Sequence, residues 1–241
     1  MKDTSDENFK PKRDKTDAEN VHSGHRQRLK RQLLEHGLDS INDIGTLELL
    51  LYSTNRRKDT NPVAHALLRE FVTLSGVFDA SLEALKAIDG VGEESAILLK
   101  LVPQLGRRYL ISRAEENAVI ASSDDAGKYF LPYFFAETSE KVLIACLDAK
   151  QKVVVCRKIG EGTINAALIN IRKIVETAVA YNSSSIVIAH NHTSGIALPS
   201  QEDVFSTKKI KEALAAIDIP LVDHIIVADD DYVSMKDSGC L

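Results

Sequence analysis

The stretch AHNHTSGIALPSQEDV, residues 189–204, holds the densest set of side chains able to do chemistry. An apolar run, 186–189, ends in two histidines, His190 and His192, separated by one residue. Strand side chains alternate, so residues i and i+2 share a face. The two imidazoles can therefore converge at the carboxyl end of a strand, where α/β sheets hold their ligands. Neutral imidazoles suit a borderline divalent metal such as zinc, and three protein ligands plus an open position is the catalytic arrangement. Asp203 can supply the third ligand. Pro199 and Ser200 open a helix, and an aspartate in its first turn can reach back to the strand mouth. Each feature also has a plainer reading. Ser200 with Asp203 fits a capping box, an aspartate in a first turn complements the helix dipole, and a histidine at a strand end commonly caps or faces solvent. The combination His-x-His, seven residues, Ser, two residues, Asp is what favours a metal.

Other hydrolytic and phosphate-handling patterns are absent from the sequence. There is no HExxH, no His-x-Glu with Pro-Cys-x-x-Cys as in the zinc deaminases, no Walker loop and no GxSxG. The chain has 241 residues, 44% hydrophobic and 27% charged, with a formal net charge of −5. That length supports one large or two small cores, and that charge does not advertise nucleic-acid binding. The apolar runs are too short for a bilayer, and the polar first twenty residues lack a signal-peptide core. Three cysteines, Cys146, Cys156 and Cys240, show no paired spacing. The first two sit in apolar runs, as small hydrophobes do. The expectation is a cytoplasmic protein with no membrane segment.

The elements that must position the motif fall into two regions. Residues 1–20 are polar and aperiodic and read as disordered. Residues 21–113 read as all-helical: a basic helix around 25–31, a stripe over 46–52, a helix opened by Pro62, and a short one capped by Ser81. AIDGVGEESAILLK (87–100) then reads as helix end, tight turn and new helix. Polar 114–117 reads as a linker. In 120–241, Ser122 caps a helix to about 135, and strands at 142–147, 152–159, 185–189 and 221–227 alternate with helices at 171–180 and 200–216. That pattern is an α/β domain with a mixed sheet.

The helical region has its own candidate function. AIDGVGEESAILLK resembles a helix-hairpin-helix, with Gly90 and Gly92 allowing the turn and helix amides facing a DNA phosphate. A plain αα-hairpin fits equally, and Glu93 and Glu94 repel phosphate. Arg26 and Arg28, and the run 56–58, are further basic candidates for an electrostatic DNA surface.

HNHTSGIALPSQED resembles the JAMM motif of the MPN/JAB metalloproteases, and more closely the RadC family's His-Asn-His-Pro-Ser-Gly followed by Pro-Ser-x-x-Asp. The likeness extends through 160–192 and through 223–227, covering nearly all of 120–241. It implies a mixed β-sheet flanked by helices, of cytidine-deaminase-like MPN/JAB type, preceded by a small all-α helix-hairpin-helix-like domain. It implies one zinc ion per chain at His190, His192 and Asp203. By the same likeness Ser200 hydrogen-bonds the tetrahedral intermediate, and an upstream glutamate is the general base. Glu140 is the best match, with Glu161 and Glu137 as rivals. Asp223 and His224 match the family's Asp-His-Ile segment and read either as a pair orienting a ligand or as a core polar pair. Thr193 replaces the family's proline and Ile196-Ala197-Leu198 a more polar stretch; both leave the ligands intact. The implied function is hydrolysis of a peptide or isopeptide bond in a peptide or protein substrate. The alternatives are a DNA-binding accessory protein of repair or replication and an MPN-type scaffold.

Overall fold

The computed structural model describes residues 15–56, 59–162 and 170–241. Most of the expected disordered segment, 1–14, two positions of the basic run 56–58, and 163–169 lie outside the described residues. The chain divides into two compact units, Met1–Val102 and Pro103–Leu241.

The first unit is helical: α1 Lys15–His36, a 3-10 turn Leu38–Ser40, α2 Asp43–Leu51, α3 Asn61–Phe71, α4 Leu74–Asp79, α5 Leu82–Lys86, and α6, Glu93–Glu115, whose first part belongs here. Short polar side chains start these helices. Asn42, Thr73 and Ser81 accept the amides of Gly45, Gly76 and Ala84, satisfying donors that the first turn leaves open. The core gathers Leu47, Leu51, Leu67, Val77, Leu85 and Leu99. Within it lies a carboxylate: Glu48 is 2% exposed and accepts from Asn61 Nδ2 at 2.9 Å and Tyr52 Oη at 3.3 Å, with His25 Nε2 at 3.2 Å. Helices α1, α2 and α3 are thereby tied at one point.

Three sequence expectations change here. Helix α1 begins at Lys15, inside the segment read as disordered, because its polar residues carry no apolar period yet are acceptable helix formers. Helix α4 went unread, since six residues are too few to show a period. The units meet within α6 at Val102 and Pro103 rather than at 114–117. Pro103 sits inside the helix without ending it, and the buried residues of α6 are Ser95, Ala96 and Leu99; core packing, not polarity, draws that boundary.

The second unit holds a five-stranded mixed sheet in the order β2-β1-β3-β4-β5. The strands are β1 Lys141–Leu147, β2 Val153–Glu161, β3 Ser185–Asn191, β4 Leu221–Ala228 and β5 Asp231–Ser234. Among the described strands only β3 and β4 pair in parallel. Helix α7, Ser123–Phe134, starts with a capping box between Ser122 and Asp125. It packs Phe130 and Phe134 against Leu143, Ala145, Val187, Ala189, Ile225 and Val227. The other face carries Ile144, Cys146, Ile186 and Ile188 against α8, Ile171–Ala180, and α9, Gln201–Ala215. The period-2 alternation of β1 and β3 thus supplies both cores, giving an α/β/α sandwich. Strand β5 escaped sequence reading because it is four residues long and follows acidic residues. No described helix is long and apolar enough to cross a membrane.

Candidate metal centre

His190 is the penultimate residue of β3 and faces α9; His192 lies one residue beyond the strand. The turn that follows bends back at Gly195, whose φ of 77° belongs to the left-handed region open to glycine. That turn brings Ser200 to the N-cap of α9 and Asp203 to its third position, beneath the histidines.

Three side-chain groups then converge. His190 Nε2 stands 3.0 Å from His192 Nε2 and 3.2 Å from Asp203 Oδ1, and His192 Nε2 stands 3.4 Å from Asp203 Oδ2. Two atoms bound tetrahedrally to zinc, each about 2.0–2.1 Å from it, lie about 3.3 Å apart. These are the only three His, Cys, Asp or Glu residues among the described ones whose atoms cluster closely enough for a metal.

The protonation of the cluster follows from its hydrogen bonds. Thr207 Oγ1 donates to the carbonyl of Asp203 at 2.6 Å. It must then accept from His224 Nδ1, 2.6 Å away. His224 is fully buried, and burial pushes its pKa well below the ordinary imidazole value, so the ring is neutral and its Nε2 is an acceptor. That atom lies 2.7 Å from His190 Nδ1, which must carry the proton. His190 Nε2 is left with a lone pair. His192 reaches the same state from the other side, because its Nδ1 donates to the Ile196 carbonyl at 3.0 Å. Two imidazole lone pairs and a carboxylate therefore face one point, which requires a cation. Without a metal the proton serves: the hydrogen bond to Asp203 raises the His192 pKa. Burial works to raise Asp203, but in the metal-free protein, where a proton stands between the groups in place of a metal, hydrogen bonding with His190 and His192 holds its carboxyl well below the usual range. The donor set, two nitrogens and a carboxylate oxygen, fits zinc.

Ser200 and Asp203 form a full capping box. Asp203 Oδ2 accepts from Ser200 N at 2.8 Å and Ser200 Oγ at 2.6 Å, and Asp203 N donates to Ser200 Oγ at 3.1 Å. The capping and ligand readings of these residues coexist: one carboxylate terminates the helix with Oδ2 and turns both oxygens towards the histidines.

Asp223 and His224 do not pair as a carboxylate–imidazole couple. Neighbouring strand residues point to opposite faces, so only His224 joins the cluster. Asp223 accepts from Ser234 Oγ at 2.6 Å and Lys236 N at 3.1 Å, tying β4 to the C-terminal turn. The partner that His224 does use, Thr207, was not legible beforehand; its one trace is the four-residue spacing from Asp203 on α9.

The three glutamates separate clearly. Glu137 is engaged by Arg107 and Lys141. Glu161 is paired with Lys158 and accepts from Ser139 Oγ at 3.2 Å. Glu140 directly precedes β1; the hydrogen bond to Asp203 chiefly raises the His192 pKa, and the Glu140 charge is the last and smallest of the influences in the same direction. Ile196 and Leu198 of the altered loop are largely exposed, and the change leaves the His192 anchor untouched because that anchor is a backbone carbonyl.

In the helical unit, Gly90 has φ 88° and a Cβ there would meet Val63 Cγ2 at 2.6 Å, so glycine is required. Gly92 has open space around it, so of the two glycines read as allowing the turn only Gly90 is held to glycine by its geometry. Arg26 is occupied internally: it donates to the carbonyls of Asn55 and Arg56 and lies 4.6 Å above the Tyr52 ring. Arg28 is exposed.

Comparison with known proteins bears on the whole arrangement. Residues 120–240 match the family model described as RadC-like JAB domain. A UPF0758 protein of Geobacillus sp. (strain WCH70) is 33% identical over 88% of this chain and 94% of its own length. UPF0758 proteins of Pseudomonas savastanoi pv. phaseolicola and Pseudomonas syringae pv. tomato are each 31% identical over 89% of this chain and 96% of theirs. With the motif, the mixed sheet and these relatives in agreement, the chain belongs to the RadC family of JAB-domain proteins.

Proposed function

We propose that the second unit is a zinc-dependent hydrolase acting on a peptide or isopeptide bond. The observation that carries this is the convergence of His190 Nε2, His192 Nε2 and the Asp203 carboxylate on one point. His190, His192 and Asp203 would hold the ion. When bound, zinc supplies Lewis acidity and activates water for attack on a carbonyl. Glu140 takes a proton at its carboxylate and delivers it to the leaving nitrogen. Ser200 Oγ, whose proton rests on Asp203 Oδ2 in the structure, would turn it to the oxyanion that develops on the substrate, a role commonly worth about 3 kcal/mol. Thr207 and His224 keep the His190 tautomer fixed throughout. Elemental analysis of the purified protein beside His192→Ala tests the site: about one zinc per chain, lost in the variant, is expected. A peptide and isopeptide screen of the zinc-loaded protein then tests the chemistry, with Glu140→Gln lowering kcat by about 10²–10⁴-fold to a measurable residual while retaining its metal. Absence of zinc at neutral pH, even when it is offered, overturns the reading.

A second reading, a DNA-associated accessory protein with the JAB domain as scaffold, draws on exposed Arg28, Lys30 and Arg31 of α1. The internal engagement of Arg26 and the carboxylates Glu93 and Glu94 opening α6 weigh against it. Binding to duplex DNA that weakens steeply with salt and is reduced in Arg28→Ala supports it; no binding at low ionic strength removes it.

A further inference from the structure

The residue between the two metal-binding histidines has a different task from theirs. Asn191 is 5% exposed and, as the neighbour of His190 on β3, points to the opposite face of the sheet. Its side chain reaches the start of β1. Oδ1 accepts from Lys141 N at 2.7 Å, and Nδ2 donates to the Ser139 carbonyl at 3.1 Å. These are the groups on either side of Glu140. The backbone register of β1 with β3 ends at Val142 opposite His190, so the carboxamide extends the pairing by one step where the main chain no longer does. From the other side Gly162 N donates to the Glu140 carbonyl at 2.9 Å. The Glu140 backbone is thus anchored from both strands that flank β1, and one of those anchors lies on the two-residue path between His190 and His192. A carboxamide suits this task because it offers a donor and an acceptor in one rigid plane; aspartate keeps only the acceptor and alanine neither.

We propose that Asn191 is a positioning residue that fixes Glu140 relative to His190 and His192, so that the middle residue of His-Asn-His sets the reach of the base. The inference rests on Glu140 being the base of the proposed hydrolase, and its test separates the two. Amide exchange is followed by NMR in wild type, Asn191→Ala and Asn191→Asp. Exchange at Lys141 rises about tenfold in Asn191→Ala, the loss of roughly one hydrogen bond. It stays near wild type in Asn191→Asp, which retains the acceptor. Ile144 and Ile188, at the sheet centre, report whether the fold is intact and keep their rates. All three proteins hold one zinc. In the zinc-loaded enzyme Asn191→Ala lowers kcat with KM unchanged, and adding it to Glu140→Gln produces no further loss, because the two act as one unit. Unchanged Lys141 exchange in Asn191→Ala overturns the clamp, zinc loss in that variant overturns its separation from metal binding, and losses that add overturn its action through Glu140. A wild type that binds no zinc overturns the hydrolase instead, while the exchange result still decides whether the clamp exists.

Discussion

Each unit holds a buried carboxylate that meets imidazole, Glu48 with one ring and Asp203 with two, and the two clusters are built for opposite purposes. Glu48 is met by donors: an amide NH2, a phenol and an imidazole nitrogen, each from a different position on three helices. Its charge is answered by the protein itself, so the cluster is a staple between helices. Asp203 is met by two imidazoles whose protons have been directed elsewhere, to His224 and to the Ile196 carbonyl. Its cluster has an excess of lone pairs and calls for a cation. The difference lies less in residue type than in where the protons go: at Asp203 the far nitrogen of each ring donates away from the carboxylate.

Exchanging one residue at each centre sharpens that contrast most. Asp203→Ala takes zinc from about one per chain to near none in elemental analysis. Glu48→Ala leaves zinc content unchanged but destabilises the helical unit by about 1–3 kcal/mol in urea unfolding, as leaving buried donors without their acceptor does. Zinc loss in Glu48→Ala would erase the distinction.

The next effect is on pH. The hydrogen bond to Asp203 raises the His192 pKa in the metal-free protein, so this pair stabilises the fold below about pH 6.5 and fades as pH rises through the folded-state value. Zinc must displace that proton. Its stabilising increment therefore grows with pH, from small near about pH 5.5 to full near about pH 8. Thermal unfolding with and without zinc across that range reads the two opposing trends; an increment independent of pH would contradict the assigned protons.

Thr207→Val probes the far nitrogen directly. It keeps the shape but removes the hydroxyl that fixes the His224 and His190 tautomers. A loss of about tenfold in zinc affinity by competition with a chelator is expected. The smallest effect belongs to the hairpin. Gly92→Ala changes stability by within about 0.5 kcal/mol, whereas Gly90→Ala costs more than about 1 kcal/mol because of its positive φ and the approach of Val63.

The parts of this protein legible in its sequence are those whose cause is local. The period-2 strands, the Ser122 and Ser200 caps, and the His-x-His with its downstream Asp read directly, because side-chain direction depends on neighbours within one strand or one turn. Strand β5 and helix α4 were too short to carry a period. The Asp223–His224 reading held for His224, which meets His190, and not for Asp223, because adjacency in sequence means opposite faces in a strand. By itself the sequence determined which three side chains, His190, His192 and Asp203, come together, the capping box and the alternation that makes an α/β sandwich. Only the tertiary structure decided that Thr207 holds His224, that Asn191 brackets Glu140 from fifty residues away, and that Glu48 ties three helices. Those are pairings between distant segments, and a donor and its acceptor are joined by how strands and helices pack, which no spacing along the chain encodes.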